Sequence, residues 1–150
     1  MNTITVIANE TLYELPADGT INRNAEHAFT RGQCHAFALA MHRLTGWQLI
    51  GLFEDKWEWR DYLEGVDTPG HVVVQSPDGH YVDVTGTNAL EEWRGYYPDA
   101  DPKPLTEKEV MELSTINYGE PDVESATLFA NWMINNRLTG PMQFRIPFKG

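Results

Sequence analysis

The sequence predicts an α+β domain in which a helix beginning at Cys34, in the N-terminal half, packs on a small antiparallel sheet and further helices follow toward the C-terminus. Three observations carry that expectation. The run Cys34-His35-Ala36-Phe37-Ala38-Leu39-Ala40-Met41-His42-Arg43-Leu44 places Phe37, Ala38, Met41 and Leu44 at three- and four-residue spacing before Thr45-Gly46 supplies a left-handed stop. Gly70 to Val84 alternates around Ser76-Pro77-Asp78-Gly79-His80, the pattern of a β-hairpin. Beyond it, capping residues precede apolar positions at helical spacing.

In chain order, residues 3 to 7 and 12 to 15 read as strands, the second stopped by Pro16-Ala17-Asp18-Gly19. Asn22 to Gly32 is polar and lacks a clear period, so it reads as a loop or short helix leading into the Cys34 helix, whose apolar face includes Cys34 itself. Residues 47 to 53 form a strand, and Glu54 to Gly70 a Trp- and charge-rich connection. In the hairpin, proline at the second turn position, aspartate next and glycine where φ must be positive define a three-residue loop that pairs Ser76 with His80. Counting outward puts Val73 across from Asp83 and His71 across from Thr85. His71, Val73, Gln75, Tyr81, Asp83 and Thr85 then share one face, and Val72, Val74, Val82 and Val84 form a core face. His71 and Asp83 become diagonal neighbours, roughly 5–8 Å apart at Cβ. Capping pairs Asn88/Glu91 and Thr106/Glu109 start helices near 89 to 94 and 107 to 113, separated by a loop from Tyr96 to Pro104. Asp122 to Leu138 is a longer helix, and Met142 to Ile146 an edge strand before Pro147.

Composition bounds what such a fold does. The 150 residues are 41% apolar, enough for one core and one domain, and contain no apolar run long enough to span a membrane. The first ten residues have no basic region or apolar stretch of signal-peptide length, and a lone cysteine forms no internal disulfide; both point to a reducing cytoplasm. Twenty-two acidic against eleven basic residues give a net charge of −11, which opposes nonspecific nucleic-acid binding and favours solubility or a basic partner.

Cys34 is the site to which these constraints lead. The first turn of a helix offers unpaired N–H groups and the positive end of the macrodipole, which favour a thiolate. His71 and Asp83 follow it on the hairpin, completing the set of nucleophile, base and orienting acid that thiol hydrolysis requires. Taken singly, a buried cysteine or a strand histidine is ordinary packing, and Asp78 is accounted for by its turn. The joint pattern carries the chemistry.

The arrangement resembles papain-like and transglutaminase-like thiol enzymes, including small bacterial deamidase and effector-type members, over about residues 30 to 86. In those folds a helix bearing the nucleophilic cysteine packs on an antiparallel sheet or small barrel whose strands supply histidine and then aspartate or asparagine. By this resemblance Cys34 matches the nucleophile, His71 the base and Asp83 the orienting acid. Papain carries an oxyanion glutamine several residues before its cysteine, whereas here Gln33 is immediately adjacent. The short interval from His71 to Asp83 is closer to the transglutaminase-like and effector groups.

The expected activity is that of a cysteine-dependent hydrolase or acyl transferase on an amide bond: protease, glutamine deamidase or transglutaminase. The substrate is a protein or peptide, with no cofactor, metal or membrane. The Cys34 backbone N–H is the first oxyanion donor and the Gln33 side chain a second. Trp57 and Trp59 are candidates for lining the substrate cleft, and His27 is an alternative base. His35 and His42, seven residues apart, lie on similar helix azimuths, but no recognised metal-site spacing involves them. The competing reading is a non-catalytic acidic module that docks on a partner's basic surface or mimics nucleic-acid charge.

Overall fold

Strands β1 (Thr3–Ala8) and β2 (Thr11–Pro16) pair antiparallel through a two-residue turn, Asn9-Glu10, whose residues both have positive φ (52° and 67°). Alternation sends Val6, Ala8 and Leu15 into the core, while Ile7 and Leu12 pair across the outer face. The computed structural model describes residues 2–53, 69–89, 101–114 and 119–138. The segment left open between loop and short helix contains a helix, α1 (Arg23–Ala28), started by Asn22, whose side chain accepts from the Ala25 N–H at 2.9 Å.

Helix α2 spans Cys34–Thr45 and ends at Gly46 with φ 78°, the expected left-handed stop. It is more deeply set than a one-sided helix. Every residue from Cys34 to Met41 is buried, whereas Leu44, expected on the core face, is exposed in the last turn. A helix enclosed on all sides needs two partners. One is a sheet and the other is helix α4 (Val123–Asn136), capped by Asp122 and packed along α2. Phe29, Phe37 and Phe129 join α1's end, α2 and α4, with ring centroids 5.9 and 5.3 Å apart.

The sheet contains β3 (Gln48–Phe53), β4 (Pro69–Gln75), β5 (Tyr81–Asp83), β6 (Gly86–Asn88) and β7 (Asp101–Leu105), in the order β6-β5-β4-β3-β7, all pairs antiparallel. The β4–β5 register follows the turn: Gln75 pairs with Tyr81, Val74 with Val82, and the Ser76 N–H donates to the His80 carbonyl at 2.8 Å. Val72, Val74, Val82 and Val84 join Leu49 and α2 in the main core; Ile50, Leu52, Val73 and Tyr81 form a second cluster on the opposite face.

Two parts depart from expectation. After Asp83 the chain turns tightly through Val84-Thr85 into β6, with Asp83 paired to Gly86. Part of the expected loop from Tyr96 to Pro104 is strand: Asp101–Leu105 lies along β3 and is an edge strand among the described residues. The alternate prolines 102 and 104 hid it, because proline weakens a strand reading. On an edge, however, their missing N–H groups fall on the side that needs no partner. Helix α3 (Glu107–Leu113) follows with a complete Thr106/Glu109 capping box. The expected helix near 89 to 94 and the edge strand at 142 to 146 lie outside the described residues. Among the described residues no helix is long and apolar enough to cross a membrane.

Candidate active site

Cys34 opens α2, and no side chain caps that helix. The ladder starts at the Gln33 carbonyl, which accepts from the Ala36 and Phe37 N–H groups. The first-turn dipole therefore bears on the thiol without a competing side-chain oxygen, as the sequence anticipated. Gln33 is absent as a cap because its side chain is engaged elsewhere. Its amide nitrogen donates to the Ile7 carbonyl (2.9 Å) and the Glu120 carbonyl (3.3 Å), and its oxygen accepts from the Asp122 N–H (2.9 Å). Both N–H groups of Gln33, the expected second oxyanion donor, thus fasten β1 and the 119–122 segment to the start of α2.

The hairpin delivers the other two residues as the turn count requires. His71 Nε2 lies 2.8 Å from Asp83 Oδ2, with both side chains buried. The second carboxylate oxygen accepts from the Thr85 N–H at 2.9 Å and the Thr85 hydroxyl at 2.5 Å. Thr85 thus fixes Asp83 from behind, a role missed in the sequence, although aspartate followed two residues later by threonine is the signal of such a turn. The β3–β4 register also shifts at this point. Leu52 pairs with His71 but Phe53 with Pro69, leaving Gly70 as the extra residue of a bulge beside His71, where side chains are re-aimed.

Electrostatics connect this pair to the sulfur. Burial, the strongest single influence on the Cys34 thiol, pushes its pKa up. Hydrogen bonding from His35 and then His71, together with their positive charge, outweighs burial and brings it down to about 6. Burial likewise pushes His71 down. Its hydrogen bonds to Asp83 and Cys34, and the negative charge of both, prevail and raise it to about 10. Both directions favour a thiolate on Cys34 beside an imidazolium on His71. With Nε2 on Asp83, the ring's Nδ1 is the nitrogen left to serve the sulfur. Cys34, His71 and Asp83 are each only 3% exposed, so these charges interact in a medium of low polarity.

Of the remaining candidates, His42 and His80 lie apart from this centre. His42 Nδ1 is 2.7 Å from the Trp47 carbonyl and its Nε2 faces Glu107, placing it at the far end of α2. His80 faces Asp78 at the hairpin turn, and half-buried His27 sits on α1. Trp57 and Trp59 lie outside the described residues. His35, unlike these, is wholly buried, with Nε2 2.9 Å from the Gly119 carbonyl. Among the described residues no group of three His, Cys, Asp or Glu side chains is arranged to hold a metal ion. A cleft of about 720 Å³ opens between the β1–β2 turn and the 119–122 segment, with Gln33 in its wall and Glu10, Glu120 and Asp122 along it.

Comparison of the chain with protein-family models, with curated proteins and with solved structures finds no match to any of them.

Proposed function

We propose that this protein is a cysteine-dependent hydrolase or acyl transferase acting on an amide bond of a protein or peptide, with Cys34 as nucleophile, His71 as acid and base, and Asp83 as the orienting carboxylate. One observation carries the proposal: the buried 2.8 Å His71–Asp83 hydrogen bond, set against a thiol whose pKa is drawn down to about 6. A packing cysteine in an apolar site has its pKa raised instead. The order of the three residues, a thiol on a helix and partners on a hairpin, supports kinship of design with papain-like and transglutaminase-like enzymes.

The chemistry follows from the ion pair. The Cys34 thiolate adds to the amide carbonyl, and the oxyanion is met by the Cys34 N–H at the uncapped start of α2. The His71 imidazolium gives its proton to the departing nitrogen, the C–N bond breaks, and a thioester remains. Neutral His71 then takes a proton from water as it attacks, releasing the acid, or from an amine, completing transfer. Asp83 holds the ring in register through both steps.

Iodoacetamide labelling of Cys34, followed by mass spectrometry from pH 5 to 9, tests the reading. Appreciable modification at pH 6 that is lost in a folded His71→Ala variant is expected. Labelling that rises only above pH 8, or that ignores His71→Ala, makes Cys34 a core residue. The second reading, an acidic module that docks on a basic surface, draws on the net charge of −11 and the carboxylates along the cleft, and it is favoured by that outcome.

A further inference from the structure

The cleft beside the β1–β2 turn takes no part in the chemistry above, and it runs along an open strand edge. β1 belongs to a two-stranded sheet, so one of its edges has no strand beside it among the described residues. Backbone bonding in an antiparallel pair alternates along each strand. The Ala17 N–H donates to the Asn2 carbonyl at 3.2 Å, so the even-numbered residues Ile4, Val6 and Ala8 direct their backbone groups to β2. Those of Thr5 and Ile7 point the other way, where the Gln33 amide reaches the Ile7 carbonyl at 2.9 Å. The Thr5 N–H, the Thr5 carbonyl and the Ile7 N–H are left on this edge without a partner among the described residues. Edge strands are ordinarily blunted by proline, lysine or a bulge. β7 carries Pro102 and Pro104, whereas Thr3-Ile4-Thr5-Val6-Ile7 has none of these devices.

Thr5, Ile7 and Asn9 line one side of the cleft, about 720 Å³ in volume, and the 119–122 segment lines the other. Gln33 ties the two walls together through the Ile7 and Glu120 carbonyls. The turn is held as well, since a Cβ on Gly32 would stand 2.6 Å from the Asn9 nitrogen. Glu10, Glu120 and Asp122 face the cleft, and among the described residues no lysine, arginine or histidine lines it.

We infer that this cleft docks an extended, basic segment of the substrate, which adds to β1 as a third strand. The inference rests on the thiol-enzyme reading for naming the segment as substrate, and deepens it with a substrate class and a place of docking. Main-chain groups of the segment pair with Thr5 and Ile7, while its lysine or arginine side chains meet Glu10, Glu120 and Asp122. Ile7 and Leu12, paired across the outer face and each about 60% exposed, favour β-branched residues beside them. The edge ends at Gln33, one residue before Cys34, so a segment laid along β1 runs to the start of α2. A second copy of the chain is a poor occupant, because each carries a net charge of −11.

The probe is a fluorescein-labelled hexapeptide amide of alternating lysine and valine, with binding to the intact protein followed by anisotropy. Saturable binding is expected, weakened about tenfold when alternate backbone nitrogens of the peptide are methylated, as loss of one or two hydrogen bonds requires. Thr5→Pro removes an edge N–H that β2 does not use, and should weaken binding about as much with the circular dichroism unchanged. Glu10→Lys/Glu120→Lys leaves the edge intact, tests the carboxylates independently, and should also weaken binding about tenfold. Equal binding of the methylated peptide overturns the inference, because attraction is then by charge alone. Absence of saturable binding below about 1 mM overturns it too. So does a wild-type dimer in sedimentation that Thr5→Pro abolishes, which puts a second copy on the edge. Iodoacetamide labelling of Cys34 is read separately and should keep its wild-type pH profile in Thr5→Pro, so failure of the peptide test leaves the thiol chemistry standing. Labelling that rises only above pH 8 overturns the enzyme reading, and with it the naming of the segment as substrate, whatever the peptide does.

Discussion

The His71 and Asp83 side chains meet at 2.8 Å across two adjacent strands, with Nε2 facing Oδ2 and neither group open to water. That contact sets the charge state of the site, because Asp83 is the first influence that opposes burial and keeps His71 protonated. Asp83→Asn retains the shape and removes the charge. His71 should then lose its proton well below pH 10, and turnover or alkylation at neutral pH should fall, though by less than in His71→Ala. Rates for the two variants, with circular dichroism confirming the fold, check the order. Equal losses would mean that Asp83 does more than orient.

The paired shifts fix the pH dependence of the site. The reactive species needs Cys34 deprotonated, which occurs above about pH 6, and His71 protonated, which holds below about pH 10. Acylation rates should therefore rise through pH 6, stay level, and fall through pH 10. A stopped-flow profile with an activated amide or ester checks both limbs. In Asp83→Asn the upper limb moves to lower pH, because the charge that raised His71 is gone.

Thr85 predicts a smaller effect. Thr85→Val deletes the hydroxyl bond to Asp83 Oδ1 but keeps the backbone N–H bond. Loss of about 1 kcal/mol of orientation slows the reaction by about fivefold. Thr85→Ser should restore the wild-type rate, since it returns the hydroxyl, and rate measurements on the three proteins decide this.

Stability offers a test independent of chemistry. A Cβ on Gly19 would stand 2.3 Å from the Leu128 carbonyl oxygen, with φ at +86°, so Gly19→Ala forces the 16–19 turn away from α4. A Cβ on Gly46 meets nothing within 4 Å, leaving only the cost of its left-handed φ of 78°. Urea unfolding should show Gly46→Ala losing about 1 kcal/mol and Gly19→Ala at least twice that.

Much of the fold was legible because its signals are local. The turn chemistry of Ser76 to His80 set the β4–β5 register, and the register put His71 beside Asp83. Gly46 ended α2, and the Thr106/Glu109 box began α3. The strand at 101–105 was not legible, because two prolines are acceptable only on an edge, and edge position is a property of the assembled sheet. Leu44 was misassigned for a related reason: helical spacing gives azimuth along a helix but not how far the sheet extends beneath it.

The sequence by itself determined the place of Cys34 at a helix start, the meeting of His71 and Asp83, and the alternation that buries the valine face. These depend on backbone geometry within one turn or one hairpin. Only the tertiary structure decided what surrounds the sulfur. Gln33 fastens residues 7, 120 and 122, His35 found its anchor 84 residues away on Gly119, and Cys34 to Met41 of α2 were buried against the sheet and α4. The physical reason is range. A thiol's pKa responds to burial and to charges brought from distant segments, and neither is written in the spacing of neighbouring residues.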